Sequence, residues 1–252
     1  MMPALVTGAA RRIGRAIATD LARHGHPVAI HCNRSRAEAD ALAADLSRRH
    51  GVATAVVDAD LADAAAVARL VPRAEAALGP IRLVVNNASV YERDGADSFD
   101  PAFLARHMAV NAVAPAILAR DMAARLPEGA TGVVVNLIDQ RVWKPTPQAF
   151  SYSASKATLW WMTRTMAQAL APRVRVMGIA PGPTLGNEEQ DDALFRRQVD
   201  ATLLGVQPDL ESFGRTVRYI LETPSLTGQM IALDAGQHLA WQTPDVVGVG
   251  ED

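Results

Sequence analysis

Ala4-Leu5-Val6-Thr7-Gly8-Ala9-Ala10-Arg11-Arg12-Ile13-Gly14 is the stretch whose reading decides the fold. Three consecutive apolar residues read as a short strand buried on both faces. A glycine-containing turn follows, and Ile13, Ala16, Ile17 and Leu21 then recur at helical spacing. A strand that turns through glycine into a helix start gathers free backbone amides and the positive end of the helix dipole in one place. That is a phosphate-binding arrangement. Glycines alone are weak evidence, and their place after the first strand of a β-α-β pattern gives them weight.

The pattern repeats outward from this stretch. Apolar runs at 28–30, 53–57, 81–85, 132–137, 174–179 and 229–233 read as strands. Between them, helical periodicity covers 12–23, 36–49, 63–77, 101–125, 151–170, 192–203 and 210–222, and Gly79-Pro80 stops the third helix. Strands this apolar, alternating with helices, imply a parallel sheet covered on both sides. Right-handed crossovers then give an α/β, Rossmann-type doubly wound sheet. No linker or repeat interrupts residues 1–252, so a single domain is expected. The least regular part, 181–190, holds Pro181, Gly182, Pro183 and Gly186 after a strand end. It is a candidate substrate segment, extending to about 205.

Composition narrows the function. The chain is 49% hydrophobic and 21% charged, which excludes wholesale disorder. A net charge of −2 offers no basic surplus for nucleic acid. One cysteine, Cys32, excludes an internal disulfide and disfavours structural zinc. No uninterrupted apolar run has the length of a membrane span, and the first residues lack a signal-peptide pattern. A soluble, cytoplasmic protein is expected, with no nucleic-acid or membrane partner and no metal. His24 and His26 flank Gly25 in a turn and read as surface residues. Among 25 basic residues only Lys144 and Lys156 are lysines, which hints at a site where a compact charge is needed.

Several motifs together resemble the short-chain dehydrogenase/reductase family. Thr7-Gly8 with Gly14 matches its TGxxxGxG turn, and Asn86-Asn87-Ala88 matches its NNAG motif with Ser89 in place of glycine. Asn111 falls where the family has an active-site asparagine. Tyr152-Ser153-Ala154-Ser155-Lys156 is its YxxxK motif, and Pro181-Gly182 its PG turn. Tyr152 and Lys156, four apart on a helix, face the same way. An ammonium beside a phenol would lower the Tyr152 pKa from about 10 toward neutrality, which suits a general acid. The resemblance implies that Lys156 also holds the nicotinamide ribose and that Asn111 anchors a proton-relay water. It implies cofactor contacts at Gly8, Arg11, Arg12, Ile13, Gly14, Asp60, Leu61, Asn87, Ala88, Ser89, Pro181 and Gly182, and a homo-oligomer, dimer or tetramer. Trp160, Trp161, Met162 and Met166, on the Tyr152 helix, read as core or subunit contacts. Asp60 reads equally as an adenine contact or a turn-capping acid.

Three departures from the family pattern carry more information. Arg12 replaces the middle glycine, where a guanidinium could meet a phosphate, a substrate or both. Asp139 stands thirteen residues before Tyr152, where the family has serine. A carboxylate would repel the negative charge that develops on a carbonyl oxygen; a carboxylic acid can protonate an imine nitrogen. Tyr91 follows Ser89-Val90 and could stack on a flat substrate. These features together resemble the pteridine reductase branch. The segments 183–189 and 234–236 look more like bacterial dihydromonapterin reductases of that branch.

The second strand's end, His31-Cys32-Asn33-Arg34-Ser35-Arg36, lacks the acid that NAD-specific relatives place there, and offers arginines and serine for a 2′-phosphate. NADPH is the expected cofactor, with His31, Asn33, Arg34 and Ser35 near it. The resulting expectation is an NADPH-dependent reductase of 7,8-dihydropterins. Asp139, Tyr152, Lys156 and Asn111 would be catalytic, and Arg12, Ser89, Tyr91, Asp139 and Tyr152 would meet the pterin. Two rivals stand beside it: a carbonyl reductase of 3-oxoacyl thioesters, and a non-catalytic NADP(H) sensor.

Overall fold

Ala4 and Val6 turn to one face of the sheet and Leu5 to the other, and all three are fully buried. That double burial is the reason the first strand is apolar throughout. A computed structural model describes residues 1–186 and 191–243. It contains β1 (Ala4–Val6), β2 (Val28–Cys32), β3 (Thr54–Asp58), β4 (Leu83–Asn86), β5 (Gly132–Leu137), β6 (Val174–Pro181) and β7 (Met230–Leu233). All pairings are parallel, in the order β3-β2-β1-β4-β5-β6-β7. The order reverses between β1 and β4, where an open sheet leaves a crevice at its carboxyl edge.

Helices α1 (Arg12–Arg23), α2 (Arg36–His50) and α9 (Leu210–Glu222) cover one face. Ile17, Leu21, Leu46, Phe213 and Ile220 pack there on Val6, Ile30 and Val135. On the other face lie α3 (Ala64–Val67), α4 (Leu70–Leu78), α6 (Ala114–Arg125) and α7 (Phe150–Leu170), with Leu70, Leu118 and Met122 packed on Leu5, Val84 and Val134. Helices α5 (Pro101–Met108) and α8 (Asp192–Asp200) contribute Arg106, and Phe195 with Gln198, to hollows of the protein.

Some expected elements differ in detail. The helix over 63–77 is two pieces, because the chain breaks stride at Ala68–Arg69 and restarts with Pro72 in the first turn of α4, where its missing N–H is harmless. Strand β4 begins at Leu83 rather than 81, and α8 ends at Asp200 rather than 203. The long helix over 101–125 is continuous in direction but carries a π-helical turn at Ala109–Val113. By length and mean hydropathy it could cross a membrane, but Arg106, His107, Arg120, Asp121 and Arg125 interrupt it, so it is not an uninterrupted apolar run. The fold accounts for its apolarity: Val110, Ala112, Ala114, Leu118, Ala119 and Met122 are buried inside the protein. Residues 187–190 of the candidate substrate segment lie outside the described residues, as do Asn187, Glu188 and Glu189 of the dihydromonapterin reductase-like stretch.

The first turn sets a tight steric limit. A Cβ on Gly14 would stand 2.4 Å from the Gly8 carbonyl oxygen and 2.5 Å from Asn87 Nδ2. Gly14→Ala is therefore expected to cost about 1–3 kcal/mol of stability, the range for overpacking. Urea denaturation measures it, and an unchanged midpoint would show that the turn can shift to accept the methyl.

Candidate active site

The glycine turn is held from two sides by side chains. Thr7 Oγ1 accepts from the amides of Asn87 at 2.9 Å and Ala88 at 3.0 Å. Asn87 Nδ2 in turn donates to the carbonyls of Thr7 at 2.9 Å and Gly8 at 3.2 Å. From the β2 side, His31 Nδ1 accepts from the Gly8 amide at 3.1 Å while Nε2 donates to the Ala59 carbonyl at 3.2 Å. This pairing fixes the tautomer. Burial holds the His31 pKa down at about 4, so the ring is neutral. Gly8 has φ +61°, and a Cβ there would press on Ala88. Helix α1 starts with no side-chain cap on its first amides. The turn thus presents backbone N–H groups at a helix N-terminus, ready for an anion.

Three hollows run along the carboxyl edge of the sheet and share lining residues. The first, lined by Gly8, Ala10, Arg11, Asn33, Arg34, Ser35 and Arg106, presents three guanidiniums and no carboxylate. The second is lined by Gly8, His31, Asn33, Asp60, Leu61, Ala88, Ser89 and Val110, among others. Together they fit a nucleotide carrying a 2′-phosphate. Asp60 caps its turn, its carboxylate accepting from the Ala62 amide at 2.9 Å, and it also lines this hollow. Arg36, expected to help with a 2′-phosphate, is instead drawn to Asp40 and Asp58, because those carboxylates lie within 3.2 Å. Arg11 bonds Glu38 at the rim.

The third hollow, about 350 Å³, is the cleft itself. Ile13, Asn87, Ser89, Tyr91, Asp139, Tyr152, Lys156, Pro181 and Gly182 all line it, as does Arg12. Asp139 leaves β5 in an extended conformation and caps the short 3₁₀ turn Gln140–Val142, accepting from the Arg141 amide at 2.8 Å. Its second oxygen accepts from the Tyr152 hydroxyl at 2.8 Å and lies 3.3 Å from Arg141 Nη1. Tyr91 meets the Tyr152 ring edge-on, with centroids 4.9 Å apart.

The expected lowering of the Tyr152 pKa does not occur. It is raised well above 10, first by burial and then by the Asp139 carboxylate, which accepts the phenolic proton and so favours the neutral phenol. Lys156 donates to the Leu137 carbonyl at 2.8 Å, and its Nζ sits 5.7 Å from the centre of the Tyr152 ring. Burial lowers the lysine itself to about 8. Lys144, the other lysine, lies apart and donates to the Ala240 carbonyl at 2.9 Å.

Asn111 is fully buried behind the cleft rather than lining it. It occupies the π-helical turn. Its amide carbonyl accepts from the Val90 N–H and Ser89 Oγ, and its Nδ2 donates to Val90 O and Ser155 Oγ, all at 2.9–3.1 Å. It therefore ties the Ser89–Tyr91 segment to the Tyr152 helix. Arg12 reaches neither the glycine-turn amides nor Asp139; its guanidinium bonds the carbonyls of Leu185 and Gly186.

Sequence reading missed Arg93, Gln140, Arg141 and Gln237, and covered Phe195 and Gln198 only as part of the segment to about 205; all six line the cleft. Gln140 and Arg141 follow Asp139 directly, and Phe195 and Gln198 stand three apart on α8, so a face could have been read there. Gln237 had no local signal; β7 and the Asp234 turn bring it in.

Residues 3–193 match the family model described as short chain dehydrogenase. The chain is 35% identical over 193 residues to a short-chain type dehydrogenase/reductase of Picea abies, covering 71% of this chain and 69% of the relative. It is 31% identical over 252 residues to the dihydromonapterin reductase of Escherichia coli O6:K15:H31 (strain 536 / UPEC), covering 94% and 97%. It is also similar to the crystal structure of FolM alternative dihydrofolate reductase 1 from Brucella suis in complex with NADP. There the TM-score is 0.94, with 57% identity over 97% of this chain and 98% of that one.

The buried imidazole makes stability depend on pH. Above pH 6.5 His31 is neutral whether folded or not. Between 6.5 and about 4 the unfolded chain takes the proton and the folded chain does not, so stability falls as pH falls. The full loss is about 3 kcal/mol. Urea titrations from pH 7 to 4 should show that part of the slope vanish in His31→Asn; an identical slope in variant and wild type would exclude the buried neutral ring as its source.

Proposed function

The chain belongs to the short-chain dehydrogenase family, and from that premise we propose that it reduces 7,8-dihydropterins to their tetrahydro forms with NADPH. The observation that carries this reading is the 2.8 Å hydrogen bond between Tyr152 and Asp139 at the wall of the cleft. The family's serine would offer a hydroxyl to a carbonyl oxygen. Here a carboxyl group and a phenol share a proton beside Tyr91, an arrangement suited to protonating a ring nitrogen. The FolM relatives solved with NADP and the dihydromonapterin reductases support the same cofactor and substrate class.

The residues fit the cofactor in a definite order. Arg34 and Ser35 would take the 2′-phosphate, and Asp60 and Leu61 would flank the adenine. The Gly8–Gly14 turn and the first amides of α1 would hold the pyrophosphate. Lys156 would face the nicotinamide ribose, and Ala88, Ser89, Pro181 and Gly182 would border the nicotinamide. When bound, NADPH would supply the hydride that reduces C6 of the C6=N5 imine. The Asp139–Tyr152 pair gives one proton to N5 and recovers one from water at the open mouth of the cleft. The product is then the CH–NH bond and NADP⁺. Tyr152, its pKa raised by burial and by Asp139, is still protonated at neutral pH, so its hydroxyl holds the proton that the pair passes to N5 while Asp139 orients it. Tyr91 would stack on the pterin opposite the nicotinamide. Asn111 acts here by fixing the Ser89–Tyr91 segment.

We further infer a homo-oligomer, dimer or tetramer, because the outer face of α7 leaves Trp161 64% exposed on the helix that carries Tyr152. A cytoplasmic setting fits a single free cysteine that is buried.

NADPH oxidation by the purified protein tests the reading. 7,8-Dihydromonapterin, dihydrobiopterin and dihydrofolate should turn over, and an acetoacetyl thioester should not. Asp139→Ala and Tyr152→Phe should each lower kcat by about a hundredfold, the scale of a lost acid catalyst. Turnover of the thioester alone would assign the cleft to carbonyl reduction. Full activity in either variant would remove that residue from proton transfer.

A further inference from the structure

Arg12 stands out in the backbone before its side chain is considered. Its φ is +54°, the left-handed region that favours glycine. Retaining a bulky residue there has a conformational cost that glycine would avoid, so the side chain should return something. What it does is visible at the far side of the cleft. Nη1 donates to the Gly186 carbonyl at 2.9 Å and Nη2 to the Leu185 carbonyl at 3.1 Å. Two successive carbonyls match the fixed fork of a guanidinium, and a lysine could not reproduce that geometry.

We infer that Arg12 is a positioning residue that fastens the segment after β6, residues 182–186, across the substrate end of the cleft. The inference rests on the reading of that cleft as a dihydropterin site. Pro183, Thr184 and Leu185 form its wall. The other restraints on the segment lie elsewhere. Gly182 is pressed against Asp234, where a Cβ would come within 2.5 Å of the Asp234 Cα. Gln207 Nε2 donates to the Thr184 carbonyl at 2.6 Å. Leu185 and Gly186 are tied to the cofactor turn by Arg12. The tether therefore joins the phosphate-binding turn to the substrate wall and fixes the width of the cleft between them. It acts on pterin binding, and leaves the glycine-turn amides to hold the phosphates.

Arg12→Gly and Arg12→Lys separate this role from a phosphate contact. Three quantities are read for each variant: NADPH affinity by fluorescence titration, KM and kcat for a dihydropterin, and hydrogen exchange of the 182–186 amides. Loss of two hydrogen bonds should raise the dihydropterin KM about tenfold, with kcat and the NADPH Kd changed by less than about threefold. Exchange at Leu185 and Gly186 should quicken, and Arg12→Gly should melt no lower than wild type because glycine suits the positive φ. Arg12→Lys should behave like the glycine variant in KM and exchange. A weakened NADPH affinity with unchanged KM and exchange would overturn the tether and assign Arg12 to phosphate. If the wild-type protein turns over no dihydropterin, the substrate reading fails; the exchange experiment still decides whether Arg12 holds the segment.

Discussion

The reactive end of this protein depends on how firmly the turn after β1 is held. That turn must expose amide groups to an anion, so it cannot satisfy them internally, and an unsupported loop in that state would be mobile. Thr7, Asn87 and His31 solve the problem with side chains, bonding the turn's other backbone groups and leaving the α1 amides facing outward. Because Asn87 and Ala88 follow β4 directly, the same bonds lock β1 to β4 where the sheet order reverses. The nucleotide hollows and the cleft are therefore built on one rigid edge.

The electrostatics of the cleft follow from burial. A lysine, a tyrosine and an aspartate converge within a few ångströms, and two of them are almost dry. Each polar group has a partner: Lys156 on Leu137 O, Tyr152 on Asp139, Asp139 on the Arg141 amide. Burial first, and then Asp139 standing where the family has serine, push the Tyr152 pKa up. Where a nearby ammonium alone would have favoured phenolate, an accepting carboxylate favours phenol.

Behind the cleft, a buried polar network fixes the elements that carry it. Asn86 donates to Asn136 at 2.8 Å, Asn136 to Thr163 at 2.8 Å, and Thr163 to the Leu159 carbonyl at 2.8 Å. The chain runs from β4 through β5 into α7. Asn111 adds the link from the π-helical turn to α7 and to the Ser89–Tyr91 segment. Such groups are costly to bury unless paired, and their value lies in allowing only one relative placement of strand and helix.

The sequence by itself determined the parallel sheet, its helices and the place of the site. Strands buried on both faces must be apolar throughout, and Gly8, Gly14, Asp139, Tyr152 and Lys156 sit at fixed spacings from them. Local chemistry also separated Lys156 from nearly every other basic residue. Only the tertiary structure decided the direction of the Tyr152 pKa, the partners of Arg12 and Arg36, and the placing of Asn111 behind the cleft. Those depend on residues brought from other elements: Asp139 onto Tyr152, the 185–186 carbonyls onto Arg12, Asp58 onto Arg36, Ser155 onto Asn111. Spacing along a chain fixes which way a side chain leaves its own helix or strand. Which group it meets, and whether water reaches the pair, is set by how those elements pack.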